Sequence, residues 1–305
     1  MSLNKLYIEL GSLSTQVMKC SGNEGLKVLP AILHPSGVVT PNGEFNIDVY
    51  TEKVFKRIQN YVEEHNNGGQ TIKAFATGIY RNAENKDEVL QLLNIIKNIE
   101  LTVLSIEEES QLSFDSYLEN SKQEIPEKVI YIDIGGGSTE IAVFENAVLQ
   151  SCISIQLGVI ILVAQLFEHN VSLDEGFQEI EKKITTKLEQ HSEFLDILKN
   201  IINEHDCSIV VTGMVVKKIP RRYLKNGNVS IISLRQFLTD VYNKLDYYNN
   251  TFHLKRMYGI KKDWKTIDNT NLYLGGFFLY FILDKIGVES ISINTKGLKH
   301  SFVDC

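Results

Sequence analysis

The chain has 305 residues, 43% apolar and 23% charged, with 31 basic against 38 acidic side chains and a formal net charge of −7. A chain this long ordinarily divides into two cores, and its acidic balance argues against a general nucleic-acid binder, which tends to be basic. No apolar run reaches the length of a membrane span, and the chain enters a strand-like segment without a recognisable leader. The expectation is therefore a cytoplasmic protein with no membrane partner. Cys20, Cys152, Cys207 and Cys305 form no CxxC pair, so free thiols are expected. The seven histidines are scattered, which argues against a histidine-based metal site.

In chain order, residues 5–10 (KLYIEL) alternate and then meet Gly11, and a turn at 21–25 before residues 26–33 reads as a strand pair following this first loop. Val54, Phe55, Ile58, Tyr61 and Val62 fall at helical spacing within 51–65. A strand follows at 71–77. Asn85 with Glu88 reads as a capping box opening a helix with Val89, Leu92, Leu93 and Ile96 on one face. Residues 101–105 form a short strand running into the acidic segment 107–114. The polar stretch 119–128 is the expected linker. Strands at 129–134, 139–144 and 148–155 come next, then long helices with starts marked by Ser172/Glu175 and Ser233/Gln236. A buried strand at 208–214 ends on a glycine, an apolar helix covers 271–286, and a strand at 290–294 closes the pattern. Strands alternating with helices in two halves argue α/β.

Residues 131–141 (YIDIGGGSTEI) align with 7–17 (YIELGSLSTQV), a candidate internal duplication that pairs Glu9 with Asp133 and Gly11 with Gly135. A glycine run after a strand lets backbone N–H groups approach an anion, since no Cβ intervenes. Ser138 and Thr139 add hydroxyl donors. Asp133 is placed to hold Mg²⁺ directly or through water, and Glu140 to do the same or orient a water. An acid beside a phosphate loop makes chemical sense when a cation offsets the repulsion. Two like domains facing each other across a cleft, each offering a phosphate-sized loop, are expected.

The stretch 132–141 (IDIGGGSTEI) resembles the signature of the exopolyphosphatase / guanosine pentaphosphate phosphohydrolase family, within the actin-like, sugar kinase and heat-shock ATPase superfamily. Segments 76–88, 104–114, 154–162 and 290–301 resemble further blocks of that family in the right order. The resemblance implies two ribonuclease H-like domains across a cleft: 1–124, with the tail 297–305 packing back on it, and 125–296. It makes Glu109 the general base that activates water against a terminal phosphoryl group, with Arg81 near the phosphates. Asp133 and Glu140, joined by Glu9, become the magnesium acids. Gly11, Ser12 and Ser14 form the first phosphate loop; Gly135, Gly136, Gly137, Ser138 and Thr139 the second; Gly213 belongs to a third. The implied reaction is phosphoryl transfer to water from polyphosphate or guanosine pentaphosphate. Neighbouring Glu107 and Glu108 are expected to raise the pKa of Glu109. The chain resembles the short, two-domain form, and the sequence leaves a homodimer open.

It departs from the family pattern at Glu9 (for Asp), Leu13 (for Asn), Ile106 (for Gly), Gln111 and Ile161 (for Arg), and at Val211 and Met214 in the third loop. These positions surround the phosphate site, where loss of one transition-state contact costs on the order of a hundredfold in rate. A weak or altered hydrolase is therefore expected, the alternative being an inactive phosphate- or nucleotide-binding sensor of the same fold. A kinase or ATPase of the superfamily is a third reading. Two basic runs, Lys217, Lys218, Arg221, Arg222 and Lys225, and Lys255, Arg256, Lys261, Lys262 and Lys265, are candidate tracks for a polyphosphate chain, or simply solvated helix faces.

Overall fold

The structure, a computed structural model, describes residues 5–21, 25–34, 37–66, 70–121, 126–168, 173–204, 207–249 and 264–295. The predicted boundary at 124/125, the tail 297–305 and most of the second basic run lie outside these residues.

Two six-stranded sheets carry the fold. The first contains β1 (Lys5–Leu10), β2 (Ser14–Ser21), β3 (Gly25–Val28), β4 (Ile32–Leu33), β5 (Ile72–Ala76) and β6 (Ile99–Val103), in the order β3-β2-β1-β5-β6 with β4 also on β2. The second contains β7 (Lys128–Ile134), β8 (Thr139–Glu145), β9 (Val148–Ile155), β10 (Cys207–Gly213), β11 (Asn228–Ser230) and β12 (Ser290–Ile293), in the order β11-β12-β10-β7-β8-β9. Five strands of the first sheet repeat in the second, with β4 and β11 as the additions peculiar to each. β1 pairs antiparallel with β2 and parallel with β5, and β7 pairs antiparallel with β8 and parallel with β10. The register repeats too: Glu9 faces Gln16 as Asp133 faces Glu140, and Leu10 faces Thr15 as Ile134 faces Thr139. The Gly11 N–H closes on Ser14 O at 3.1 Å and the Gly135 N–H on Ser138 O at 3.0 Å. The duplication seen in the sequence is thus a duplicated hairpin.

Alternation explains the first sheet. Leu6, Ile8 and Leu10 of β1 point into the main core while Tyr7 joins Met18, Cys20 and Leu104 on the other face. Burial on both faces makes β7 and β8 read as nearly continuous apolar runs. The helix Ile106–Asn120 bridges the lobes. It leaves β6 of the first, and Phe114 then stacks on Phe144 of the second with ring centroids 3.8 Å apart. A capping box, Ser105 with Glu108, starts this helix and contributes about 1 kcal/mol.

Several local readings are corrected. The strand predicted over 26–33 is two short strands, β3 (Gly25–Val28) and β4 (Ile32–Leu33), both paired with β2. The 51–65 helix opens with a π-helical turn, Thr51–Phe55. Asn85 stands at its helix start but makes no cap bond. Its amide clamps the Phe45 backbone instead, accepting from Phe45 N at 2.9 Å and donating to Phe45 O at 2.8 Å. The helix predicted from Ser233 begins at Ile231, where the Ser230 hydroxyl accepts from Ser233 N. The polar linker shortens, because the bridging helix runs to Asn120. Cys152 and Cys207 are thiols, but Cys20 is disulfide-bonded, against the expectation of four thiols. No helix among the described residues is long and apolar enough to cross a membrane.

Candidate active site

The duplicated hairpins turn their tips toward each other. A Cβ on Gly136 would lie 3.0 Å from Leu13 N, and one on Gly137 would lie 2.5 Å from Ser12 Oγ. Glycine at these positions lets the two loops touch. The second loop is held from behind by Gly158, whose absent Cβ would fall 2.4 Å from Gly136 O. The first loop is braced by His34, whose Nδ1 lies 3.0 Å from Ser12 O and Nε2 3.0 Å from Thr15 Oγ1. A carbonyl only accepts, so Nδ1 carries the proton and Nε2 accepts from the threonine. Burial lowers the His34 pKa to about 4, so the ring is neutral at physiological pH.

Beneath the tips lies a cavity of about 340 Å³. Gly11, Ser12, Ser14, Gly135, Gly136, Gly137, Ser138 and Gly213 line it, as do Glu9, Glu109, Asp133 and Glu140. Thr139 does not; it is fully buried, and its hydroxyl donates to Leu157 O at 3.0 Å. Arg81 stands behind the acids. Its Nη1 donates to Glu109 Oε2 at 2.6 Å and to Leu104 O at 3.0 Å, and its Nη2 to Glu140 Oε1 at 3.1 Å. Ser138 and Ser154 donate to the same Glu140 oxygen at 2.7 and 2.9 Å.

Helix geometry sets the remaining acid. Glu109 and Ser113 lie one turn apart on the bridging helix, on one face. The Ser113 hydroxyl donates to Asp133 Oδ2 at 3.1 Å. Tyr131 OH sits 3.1 Å from Ser113 Oγ and 3.2 Å from Ser113 O, and receives Asn294 Nδ2 at 3.1 Å. Asn294 thus donates to Tyr131, Tyr131 OH donates to the Ser113 carbonyl, and the Ser113 hydroxyl alone reaches Asp133 and orients its carboxylate. Ser113→Ala is expected to lower stability by about 1–2 kcal/mol, measured by urea denaturation, with Ser113→Thr keeping most of it.

Desolvation dominates the electrostatics. Burial raises Glu109 to about 7, with Asp133 and Glu9 adding to the rise and Arg81 opposing it. Burial raises Glu140 further, and the two acids titrate as a pair. The neighbours expected to raise Glu109 do not: Glu107 and Glu108 lie exposed at the helix start, Glu108 closing the cap. Burial also lifts Asp133, opposed first by the Lys217 charge and then by Ser113. Among the described residues no three His, Cys, Asp or Glu side chains form a metal cage. Mg²⁺, however, needs only one or two protein carboxylates, with water and ligand phosphates completing its shell. With Glu140 Oε1 already taking three donors, Asp133 and Glu9 are the carboxylates best placed for such an ion, one near the end of each duplicated strand.

The sequence profile of the Ppx/GppA phosphatase family matches residues 36–250. The chain belongs to that family. Among solved structures, the Aquifex aeolicus PPX-GPPA enzyme superposes with a TM-score of 0.59 at 17% identity, covering 99% of each chain. An exopolyphosphatase from Cytophaga hutchinsonii gives 0.67 at 15% identity, covering 98% of this chain and 96% of the other. Identities this low establish the fold alone, an actin-like ATPase fold of two facing α/β lobes. A curated relative, the bifunctional 3-dehydroquinate synthase/phosphatase of Fusobacterium nucleatum subsp. nucleatum, is 23% identical over 120 residues, 39% of this chain. The match spans 18% of that protein's length.

The departures from the Ppx/GppA pattern now have places. Leu13 packs at the loop tip against Gly136, and Met214 lines the cavity. Ile161 is buried in the core, where an arginine would be out of place. Gln111 donates to Asp115 at 2.8 Å, away from the acids. Sequence reasoning missed the His34 brace and the Ser113–Tyr131–Asn294 relay. Ser113 was within reach, four residues after Glu109 on a helix; His34 carried no local signal.

Proposed function

We propose that the protein is a phosphohydrolase releasing terminal orthophosphate from inorganic polyphosphate, from guanosine pentaphosphate, or from both. The observation that carries this reading is Glu109, buried and raised to about 7, opening on a cavity flanked by glycine loops from both lobes. Glu109 takes the proton of a water as its oxygen bonds to the terminal phosphorus and the P–O bond to the leaving phosphate breaks. Backbone N–H groups of the two loops receive the phosphate oxygens, and their donors stabilise the charge that develops there. Arg81 fixes the base through Oε2. Asp133 and Glu9 would hold Mg²⁺, which when bound neutralises phosphate charge.

The test is phosphate release, by a malachite-green assay, from both substrates with and without Mg²⁺. Release from neither sinks the proposal. A base must be unprotonated to act, so kcat/KM is expected to rise with pH through about 7 and fall about tenfold per unit below pH 6. A flat profile across pH 5–8 would remove Glu109 from the role. Leu13 at the loop tip, where the family pattern has a polar residue, favours a second reading: a sensor that binds phosphate or nucleotide without turnover. Thermal stabilisation by tripolyphosphate with no release distinguishes it.

A further inference from the structure

The arginine that the family resemblance places near the phosphates stands behind the acids of the cavity wall. Arg81 is occupied by Glu109, Glu140 and Leu104 O and does not line the wall. Among the described residues that do, four are carboxylic acids and one is basic, Lys217. An anion entering a space ringed by acids meets net repulsion unless a cation stands on the wall. Lys217 ends the short turn Met214–Lys217, which follows directly on Gly213 at the end of β10. The third loop therefore delivers this side chain to the mouth of the cavity, and its charge acts on Asp133. The rest of the basic run separates from it. Lys218 and Arg221 are exposed and do not line the cavity. Arg222 donates to Asp240 Oδ2 at 3.3 Å and to Tyr223 OH at 2.9 Å.

We propose that Lys217 is the ligand-binding cation of this site, receiving a terminal or penultimate phosphate of a condensed phosphate. The inference deepens the phosphohydrolase reading and rests on it for the class of ligand. An ammonium is a compact charge with three rotatable donors on a flexible stem, so it follows phosphate oxygens without the fixed fork of a guanidinium. Such a contact tolerates chains of different length, and because charge develops on the leaving phosphate as the P–O bond breaks, it stabilises the transition state as well as the bound ligand.

The probe is inorganic tripolyphosphate, titrated calorimetrically into the full chain with Mg²⁺ present, beside phosphate release from the same compound. Lys217→Met is expected to weaken binding about 10- to 100-fold and to lower kcat/KM by at least a similar factor. Lys217→Arg should stay within about fivefold of wild type and Lys218→Met within twofold. Lys217 is exposed, so these variants fold, and circular dichroism checks this. Unchanged binding in Lys217→Met overturns the inference and leaves the hydrolase reading standing. Weakened binding without release in wild type supports Lys217 and overturns the hydrolase. Wild type that neither binds nor hydrolyses overturns both.

Discussion

Glu109→Gln is expected to lower phosphate release by about 10³-fold while leaving tripolyphosphate binding equal or tighter. General-base catalysis contributes about 10²- to 10⁴-fold, and the high end applies where no second base can substitute. The geometry leaves little room for substitution: Glu140 Oε1 is caged by Ser138, Ser154 and Arg81, and Asp133 is held by Ser113. The amide keeps the shape of the carboxylate and removes one negative charge from the wall, so anion affinity does not fall. Glu107→Gln is the matched control. It lies two residues away on the same helix, is exposed, and does not line the cavity, so it should retain full activity. The comparison is a single-turnover assay for the rate and calorimetry for the affinity. A residual rate above about a tenth of wild type would show that the water is activated elsewhere.

What was legible in the sequence is what repeats. The YIELGSLST and YIDIGGGST stretches carry strand alternation, a glycine exit and hydroxyls at matching offsets. Each of these is a local property of the backbone, and so the two hairpins, their register and their facing loops followed. Glu109 was singled out by the family resemblance within an acidic segment, and the helix that carries it brings it to the cavity. The illegible part was the choice among partners. Nothing local says that the Arg81 guanidinium turns to two acids 28 and 59 residues away instead of to the cleft. Asn85 has the chemistry of a cap and uses it on Phe45, because a buried backbone N–H and C=O pair there needs satisfying. Thr139 sits in the loop signature, but as the first residue of β8 it alternates inward, to Leu157. Lys217 was one of five equivalent cations in a run until β10 and the turn after it fixed which one faces the cavity.

The duplication also explains why the site is so acidic. Each lobe carries a carboxylate one residue before the end of its first strand, Glu9 and Asp133, and the facing lobes bring both to one cavity. The second lobe adds Glu140 opposite Asp133, where the first has Gln16 opposite Glu9. With Glu109 that makes four acids against Arg81 and Lys217. Burial settles the remainder through protons, which is why Glu109 and Glu140 both titrate above the usual carboxylate range. A ligand-borne cation arriving with phosphate would release those protons, so binding and proton release are expected to be linked.

Arg81→Ala should show what holds this charge cluster together, with a loss of about 3 kcal/mol at pH 8. Removing one partner of a buried pair costs about 3–5 kcal/mol when the other stays charged. Here the orphaned acids take up protons instead, which softens the loss as pH falls. The sign follows from the raised pKa values. Glu109 and Glu140 bind protons in the folded state at pH values where the unfolded chain, titrating near 4.5, has lost them. Stability therefore falls as pH rises through the window from about 4.5 to 7 and above. Without Arg81 the acids rise further and that slope steepens. His34 contributes the opposite slope, fading as pH rises past its unfolded value of 6.5; it is common to all the variants, so differences between them isolate the acids. Arg81→Lys rescues little, since one ammonium cannot span Glu109, Glu140 and Leu104 O at once. Arg81→Ala combined with Glu140→Gln should regain about 1–2 kcal/mol, because the amide needs no counter-charge. Urea denaturation of the four proteins at both pH values measures this. Equal losses at pH 6.5 and 8, with no recovery in the double variant, would mean that Arg81 stabilises the fold by packing alone and that the acids are balanced by something other than its charge.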